Sequence, residues 1–245
     1  MAKTSLLESS VTYKDSPPPL SLAERAYHLI LDRMLRGNLP IGSVLSRRKL
    51  AEEFHMSLVP VAQALQRLEI EGLLESRPRA GTRVKVPNAD EIRERFDLRQ
   101  ALECQSARLC AERASFQERL ELGRLAVNLD ALYATVPGDE HSGETVFAVN
   151  KYHEDLHTRI AECARSELLK SQIEKSHVLR INSLYDASSG RRSLPADFHR
   201  DLIAVIAKGD PQEAEEAMRQ HVIYGLKSIQ RIMDPLRRKN WRLKH

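Results

Sequence analysis

Between Ser21 and Val86 three short apolar-periodic segments run into a basic hairpin, and that order constrains the fold more than any other feature of the chain. Ala26, Leu29, Ile30, Met34 and Leu35 recur at helical spacing, and the segment stops at Gly37 and Asn38, before Pro40 and Gly42. Leu45, Leu50, Ala51 and Phe54 mark a second short helix starting near Ser46. Ser57 then stands as N-cap for a third, with Pro60 in its first turn and Val61, Ala64, Leu65 and Leu68 on one face. Only His55 and Met56 separate the two, which is the length and burial pattern of a helix-turn-helix. After Gly72, residues 73–76 and 82–86 read as two strands around Arg77-Pro78-Arg79-Ala80-Gly81, a hairpin wing. Two arginines and a glycine at its tip suit a phosphate backbone or a minor groove. A charged turn has the same composition, and the order of the elements favours the wing.

The remaining chain is read as helical. Residues 1–19 lack periodicity and end in three prolines, as a mobile arm does, and Val86-Pro87-Asn88 is a break. Beyond it helices are expected at 89–114, 116–134, 143–164, 166–185, 195–208 and 211–232, with turns at Pro137-Gly138, Ser188-Ser189-Gly190 and Gly209-Asp210-Pro211. The predicted fold is therefore mainly α: a winged helix-turn-helix over 20–86, an all-α six-helix bundle over 89–233 and a basic tail over 234–245. Charge follows the same division. Residues 20–86 carry 11 Lys/Arg against 7 Asp/Glu, residues 87–233 carry 20 against 24, and residues 234–245 carry 5 against 1. A basic module beside a mildly acidic one suits a polyanion-binding unit joined to a sensor, although solvated charge gives the same counts. There is no stretch of about 18 apolar residues and no signal-peptide pattern, so a soluble, cytoplasmic protein without membrane contact is expected. Cys104, Cys110 and Cys163 form no CxxC and read as small core residues of a reducing compartment.

The stretch from Gly37 to Val84 resembles the DNA-binding domain of the GntR family. The likeness rests on a Gly-x-x-x-x-Gly turn (Gly37 to Gly42), Leu50-Ala51, Val-x-x-Ala-Leu-x-x-Leu (Val61 to Leu68), Glu71-Gly72-Leu73 and the wing glycine Gly81. The resemblance implies that the second helix contacts phosphate, the third enters the major groove and the wing touches the minor groove of a double-stranded, pseudo-palindromic operator bound by a homodimer. Arg48, Ser57 and Gly81 fill positions that the family uses for DNA. Arg47, Lys49, Arg77, Arg79 and Arg83 add phosphate-binding charge. Leu58 and Ala62 stand where the family usually has arginines, so an altered base code is expected from Leu58, Gln63, Gln66 and Arg67, in which Gln pairs with adenine and Leu meets a thymine methyl.

"FDLRQALE" (Phe96 to Glu103), "HEDLHTRIAECARSELL" (His153 to Leu169) and "FHRDLIAVIAKGDPQEAEEAMRQH" (Phe198 to His221) resemble the FCD effector domain of the FadR branch of that family. The resemblance implies a metal site at His153, His157, His199 and His221, with His153 in place of the family's usual aspartate. Independently, residues four apart share a helix face and can chelate one ion, yet such a pair on a polar helix is often only surface. All-nitrogen ligation favours a divalent transition ion, zinc or nickel first, over magnesium or calcium. Retention of that ion should weaken below about pH 6. By resemblance Arg99 points into the effector cavity, where it would hold the carboxylate of a small organic or sugar acid; a salt bridge to Glu103 at i, i+4 is the competing reading. The alternative function is a metal-dependent hydrolase. HEDLH has the HExxH spacing, whereas neither a phosphate loop nor a nucleophile elbow is present.

Overall fold

The computed structural model describes residues 20–79, 81–135, 143–176, 179, 184 and 194–242, and of 232–242 the backbone alone. The expected arm at 1–19, the turns at Pro137-Gly138 and Ser188-Ser189-Gly190 and most of the segment 177–193 lie outside the described residues.

The helix α1 (Leu22–Leu35) begins in a capping box: the Ser21 hydroxyl accepts from the Glu24 amide while the Glu24 carboxylate accepts from the Ser21 amide. Its buried stripe, Ala26, Tyr27, Ile30 and Met34, packs on the stripe Val61, Ala64, Leu65 and Leu68 of α3 (Leu58–Ile70), and α2 (Arg47–Glu53) adds Leu50 and Ala51. Burying these side chains is what fixes the angle between helices too short to be stable alone. The wing is β2 (Leu74–Arg77) paired antiparallel with β3 (Gly81–Val84), in register Leu74↔Val84 to Arg77↔Gly81. Arg79 and Gly81 both take positive φ at the tip, 63° and 76°. A further two-residue strand, β1 (Val44–Leu45), pairs with the other edge of β3 and makes the sheet three-stranded, order β1-β3-β2. Two residues carry no period, so the sequence reading gave a hairpin only.

Asn88 and Glu91 form a second capping box that starts α4 (Ala89–Arg99). The single helix expected over 89–114 is instead α4, a π-helical segment (Gln100–Cys104) and α5 (Gln105–Arg113). A π turn needs neither Gly nor Pro, so the sequence carried no break signal. Then follow α6 (Phe116–Thr135), α7 (Gly143–Cys163), α8 (Glu167–Ser176), α9 (Phe198–Lys208) and α10 (Pro211–Arg242). Contrary to the expected end at 232, α10 continues through Pro235 and takes most of the basic tail into its backbone. It runs antiparallel to α4 and α5, since Glu215 meets Arg108 while Gly225 lies against Phe96. The three cysteines are buried and unpaired, as core residues.

Candidate metal centre and nucleic-acid interface

Four imidazoles meet inside the helical bundle. His153 and His157 are one turn apart on α7, with ring centroids 4.4 Å apart, and His221 of α10 closes on both, at 6.0 Å and 5.1 Å. Each of these three offers a ligand atom within 4.8 Å of the others, and His157 Nε2 lies 3.2 Å from His221 Nε2. His199, in the first turn of α9, is the fourth; its ring centroid is 5.4 Å from that of His153 and 5.3 Å from that of His221. His157, His199 and His221 are buried.

Carboxylates hold two of the rings from behind. Asp130 of α6 sits 2.6 Å from His199 Nδ1, and its two oxygens also accept the backbone amides of His199 and Arg200, so one buried carboxylate caps α9 and orients the imidazole. Glu103, in the π segment, lies 2.7 Å from His157 Nδ1, in a short but bent contact. A carboxylate only accepts, so His199 Nδ1 donates to Asp130 and carries a proton. Burial raises the Glu103 pKa, yet Arg99 and then His157 outweigh it and hold the group at about 2. Asp130 is lowered too, its burial being outweighed by the hydrogen bond with His199 and the two amides. Burial, then the neighbouring imidazoles and Arg99, push His153 and His221 well below the ordinary histidine value. These side chains therefore stay neutral and available as donors near pH 7. His221 Nδ1 has no hydrogen-bond partner among the described residues. The all-imidazole donor set and its outer carboxylates fit a transition ion.

Arg99 does not stand free in a cavity. It is buried and grips Glu103 with two parallel bonds, Nε to Oε1 at 2.6 Å and Nη2 to Oε2 at 3.1 Å. The structure thus contains the competing i, i+4 pair, but inside the bundle and one carboxylate away from His157. Glu103 and Asp130 were missing from the expected site. Glu103 was legible only as a partner for Arg99, and Asp130 carried no signal, being 69 residues from His199.

The winged helix arranges its cations around α3 rather than on it. Arg47, Arg48 and Lys49 project from the first turn of α2; the Arg48 and Lys49 side chains are 88% and 77% exposed, with long contacts to Glu52 and Glu53 of 3.4 Å and 3.9 Å. Ser57 occupies the N-cap of α3 without a side-chain cap bond. Leu58, Gln63 and Gln66 are exposed. Arg67 is committed elsewhere: it bonds Glu71 at 3.0 Å and lies 4.0 Å from the Tyr27 ring centroid. Arg77 and Arg83 flank Glu75 at 3.3 Å and 3.7 Å, while Arg79 and Gly81 are exposed at the wing tip.

Residues 22–84 match the family described as bacterial regulatory proteins, gntR family, and residues 94–223 match the FCD domain. The chain belongs to the GntR family of regulators that carry an FCD domain. Among curated GntR relatives, a probable D-xylose utilization operon transcriptional repressor of Paenarthrobacter nicotinovorans is 27% identical, covering 82% of this chain and 86% of its own. The HTH-type transcriptional repressor RspR of Escherichia coli (strain K12) is 23% identical over 88% of this chain and 92% of its own. A GntR transcriptional regulator from Rhodococcus sp. RHA1 has the same fold, with a TM-score of 0.68 at 20% identity over 85% of this chain and 97% of that one. E. coli McbR/YncC gives 0.65, also at 20%, over 87% and 99%. This GntR protein is a transcription regulator with an effector-binding FCD domain, not an enzyme, which sets aside the hydrolase alternative. No helix among the described residues is long and apolar enough to cross a membrane.

Proposed function

We propose that this protein is a cytoplasmic, homodimeric repressor of the FadR branch, organised as a winged helix over 20–86 and a sensor over 89–233, whose hold on a pseudo-palindromic operator is set by a small carboxylate effector. The observation that carries the sensor half is the convergence of His153, His157 and His221, with the ring of His199 beside them, His157 being backed by Glu103 and His199 by Asp130. These four histidines would hold a divalent transition ion, zinc or nickel by their all-nitrogen chemistry, and the ion when bound supplies an electropositive anchor for an anion. Asp130 fixes the tautomer and ring direction of His199. Because Glu103 already neutralises Arg99, an effector carboxylate reaches that guanidinium only by competing with Glu103. Arg99 is thus a partner that an effector must win.

The DNA half rests on Arg47, Arg48, Lys49 and Arg79, exposed around α3 in an arrangement suited to phosphate contacts. A mobility-shift titration on DNA upstream of its own gene tests this half, with affinity expected to fall steeply as salt rises and Arg48→Ala to weaken binding on every sequence. Salt-independent binding removes the reading. Elemental analysis tests the sensor half: one ion per chain is expected in the purified protein and much less in His199→Ala and His221→Ala. If both variants keep a full ion and unchanged response to small carboxylates, the site is misassigned. Sedimentation of a monomer, with a footprint of one half-site, removes the dimer.

A further inference from the structure

Alpha-helical spacing turns one stripe of α3 away from the core, and the composition of that stripe is unusual for a surface. Pro60, Val61, Ala64, Leu65 and Leu68 face inward. The opposite side therefore carries Val59, Ala62, Gln63, Gln66 and Ile70, with Leu58 beside it. Leu58 is 55% exposed, Val59 64% and Ile70 80%. Single exposed apolar residues mean little, but here two occupy the first turn of the second helix of a helix-turn-helix, the part that such motifs bring to base edges.

The charges flanking the stripe are spoken for. Arg67 is held by Glu71 and Tyr27, and Glu69 accepts both the amide and the hydroxyl of Ser76, at 2.9 Å and 3.0 Å. Arg67 is half exposed but paired; among the described residues, the unpaired or loosely paired outward cations nearest the stripe lie on α2 and on the wing, where they suit phosphate or minor groove. The commonest reading of guanine, Arg or Lys bidentate to O6 and N7, has no side chain on this stripe to perform it. What the stripe does offer is two primary amides, which match N6 and N7 of adenine, and branched methyl groups, which match the C5 methyl of thymine. The wing agrees. Arg79, exposed at its tip, would enter a minor groove whose pattern separates A·T from G·C and whose narrow A-tracts attract arginine.

Resting on the reading that this domain binds DNA, we propose that the core of each operator half-site is built of A·T pairs, with Leu58 and Val59 reading thymine methyls and Gln63 and Gln66 reading adenines. Selection by the full-length chain from a duplex library with a randomised core tests it, followed by anisotropy on the selected duplex and on its copy with uracil for thymine, which removes only the methyl. A·T pairs are expected at the enriched core positions, and each core methyl removed should weaken binding about fourfold, the worth of one buried methyl group. Val59→Ala should erase the thymine-over-uracil preference at one position without loss on the uracil duplex. Gln63→Arg should convert one adenine preference to guanine. Guanine at the enriched core positions, no enriched core at all, or equal affinity for the thymine and uracil duplexes overturns the inference while leaving DNA binding intact. Retention of no duplex even at low salt overturns the DNA-binding reading and this one with it.

Discussion

Asp130 does two jobs with one carboxylate, and Asp130→Asn weakens them unequally. The amide has one oxygen, so it can keep only one of the two backbone amides of His199 and Arg200, and it loses the charge that holds the His199 Nδ1 proton. The lost cap bond should cost about 1 kcal/mol of stability, while affinity for an ion held by the histidines should drop about 10- to 100-fold, read by competition with a chromophoric chelator. Unchanged affinity would remove Asp130 from the site. The histidines make a second, pH-dependent prediction for the metal-free protein. His153 and His221 have folded pKa values below the unfolded value of about 6.5, so as pH falls through 6.5 the unfolded chain takes up protons first. Stability present above that pH is therefore lost below it, with a slope approaching about 2.7 kcal/mol per pH unit while both sites stay neutral in the folded state. A midpoint of thermal unfolding that stays flat from pH 7 to 5 would contradict this. For an ion held by His153 and His221, the same depression would move release below the pH 6 expected from ordinary histidines. His153 and His157 were legible because i, i+4 spacing survives in one dimension, and His199 and His221 through the family resemblance; Asp130 and Glu103 were not, because their contacts with the imidazoles exist only once helices pack.

Arg119 shows how the bundle's helix ends are held. Its guanidinium donates from Nη2 to the Ala111 carbonyl at 2.9 Å, from Nε to Ala114 at 3.1 Å and from Nη1 to Ala207 at 2.6 Å. The first two lie at the end of α5 and the third at the end of α9, so one side chain from α6 closes two C-termini and complements both helix dipoles. Arg119→Met keeps much of the stem and leaves three carbonyls without this donor. Hydrogen bonds to charged groups are worth about 1.5–3 kcal/mol each, but these three are only part-buried and share one guanidinium, so a loss of about 3 kcal/mol is expected in urea unfolding, with metal stoichiometry unchanged. A loss under about 0.5 kcal/mol would mean that the bonds only replace hydration. At this scale most helices were legible, since apolar periodicity and caps such as Asn88 with Glu91 are local. The π segment and the run of α10 past Pro235 were not, because a π turn needs no Gly or Pro and a proline reads locally as a helix stop.

Across the whole molecule, α7 joins α4, whose Arg95 donates to the Gly72 carbonyl, in touching both halves. Its inner face carries His153 and His157, and its first turns carry Glu144 and Phe147, which meet Arg36 at the end of α1. Any shift of α7 that accompanies occupancy of the histidine cluster is therefore felt at the base of the winged helix. Nothing in the sequence announced this, because Arg36 and Glu144 are 108 residues apart and each reads as a solvated charge. Magnitudes say which part of the clamp matters. The Glu144 side chain is 69% exposed, so its ion pair is worth at most about 1 kcal/mol and is screened by salt. The Arg36 guanidinium, 4.0 Å from the Phe147 centroid, gains a cation–π contact of similar size, about 0.5–1 kcal/mol, and Phe147 also buries apolar ring surface between the two halves. Phe147→Ala should thus loosen the junction more than Glu144→Gln. In calorimetry the wild-type chain should unfold in one cooperative transition, Glu144→Gln should leave it single, and Phe147→Ala should split it into winged-helix and bundle transitions. Equal behaviour of the two variants would show that the charge, and not the ring, couples α1 to α7.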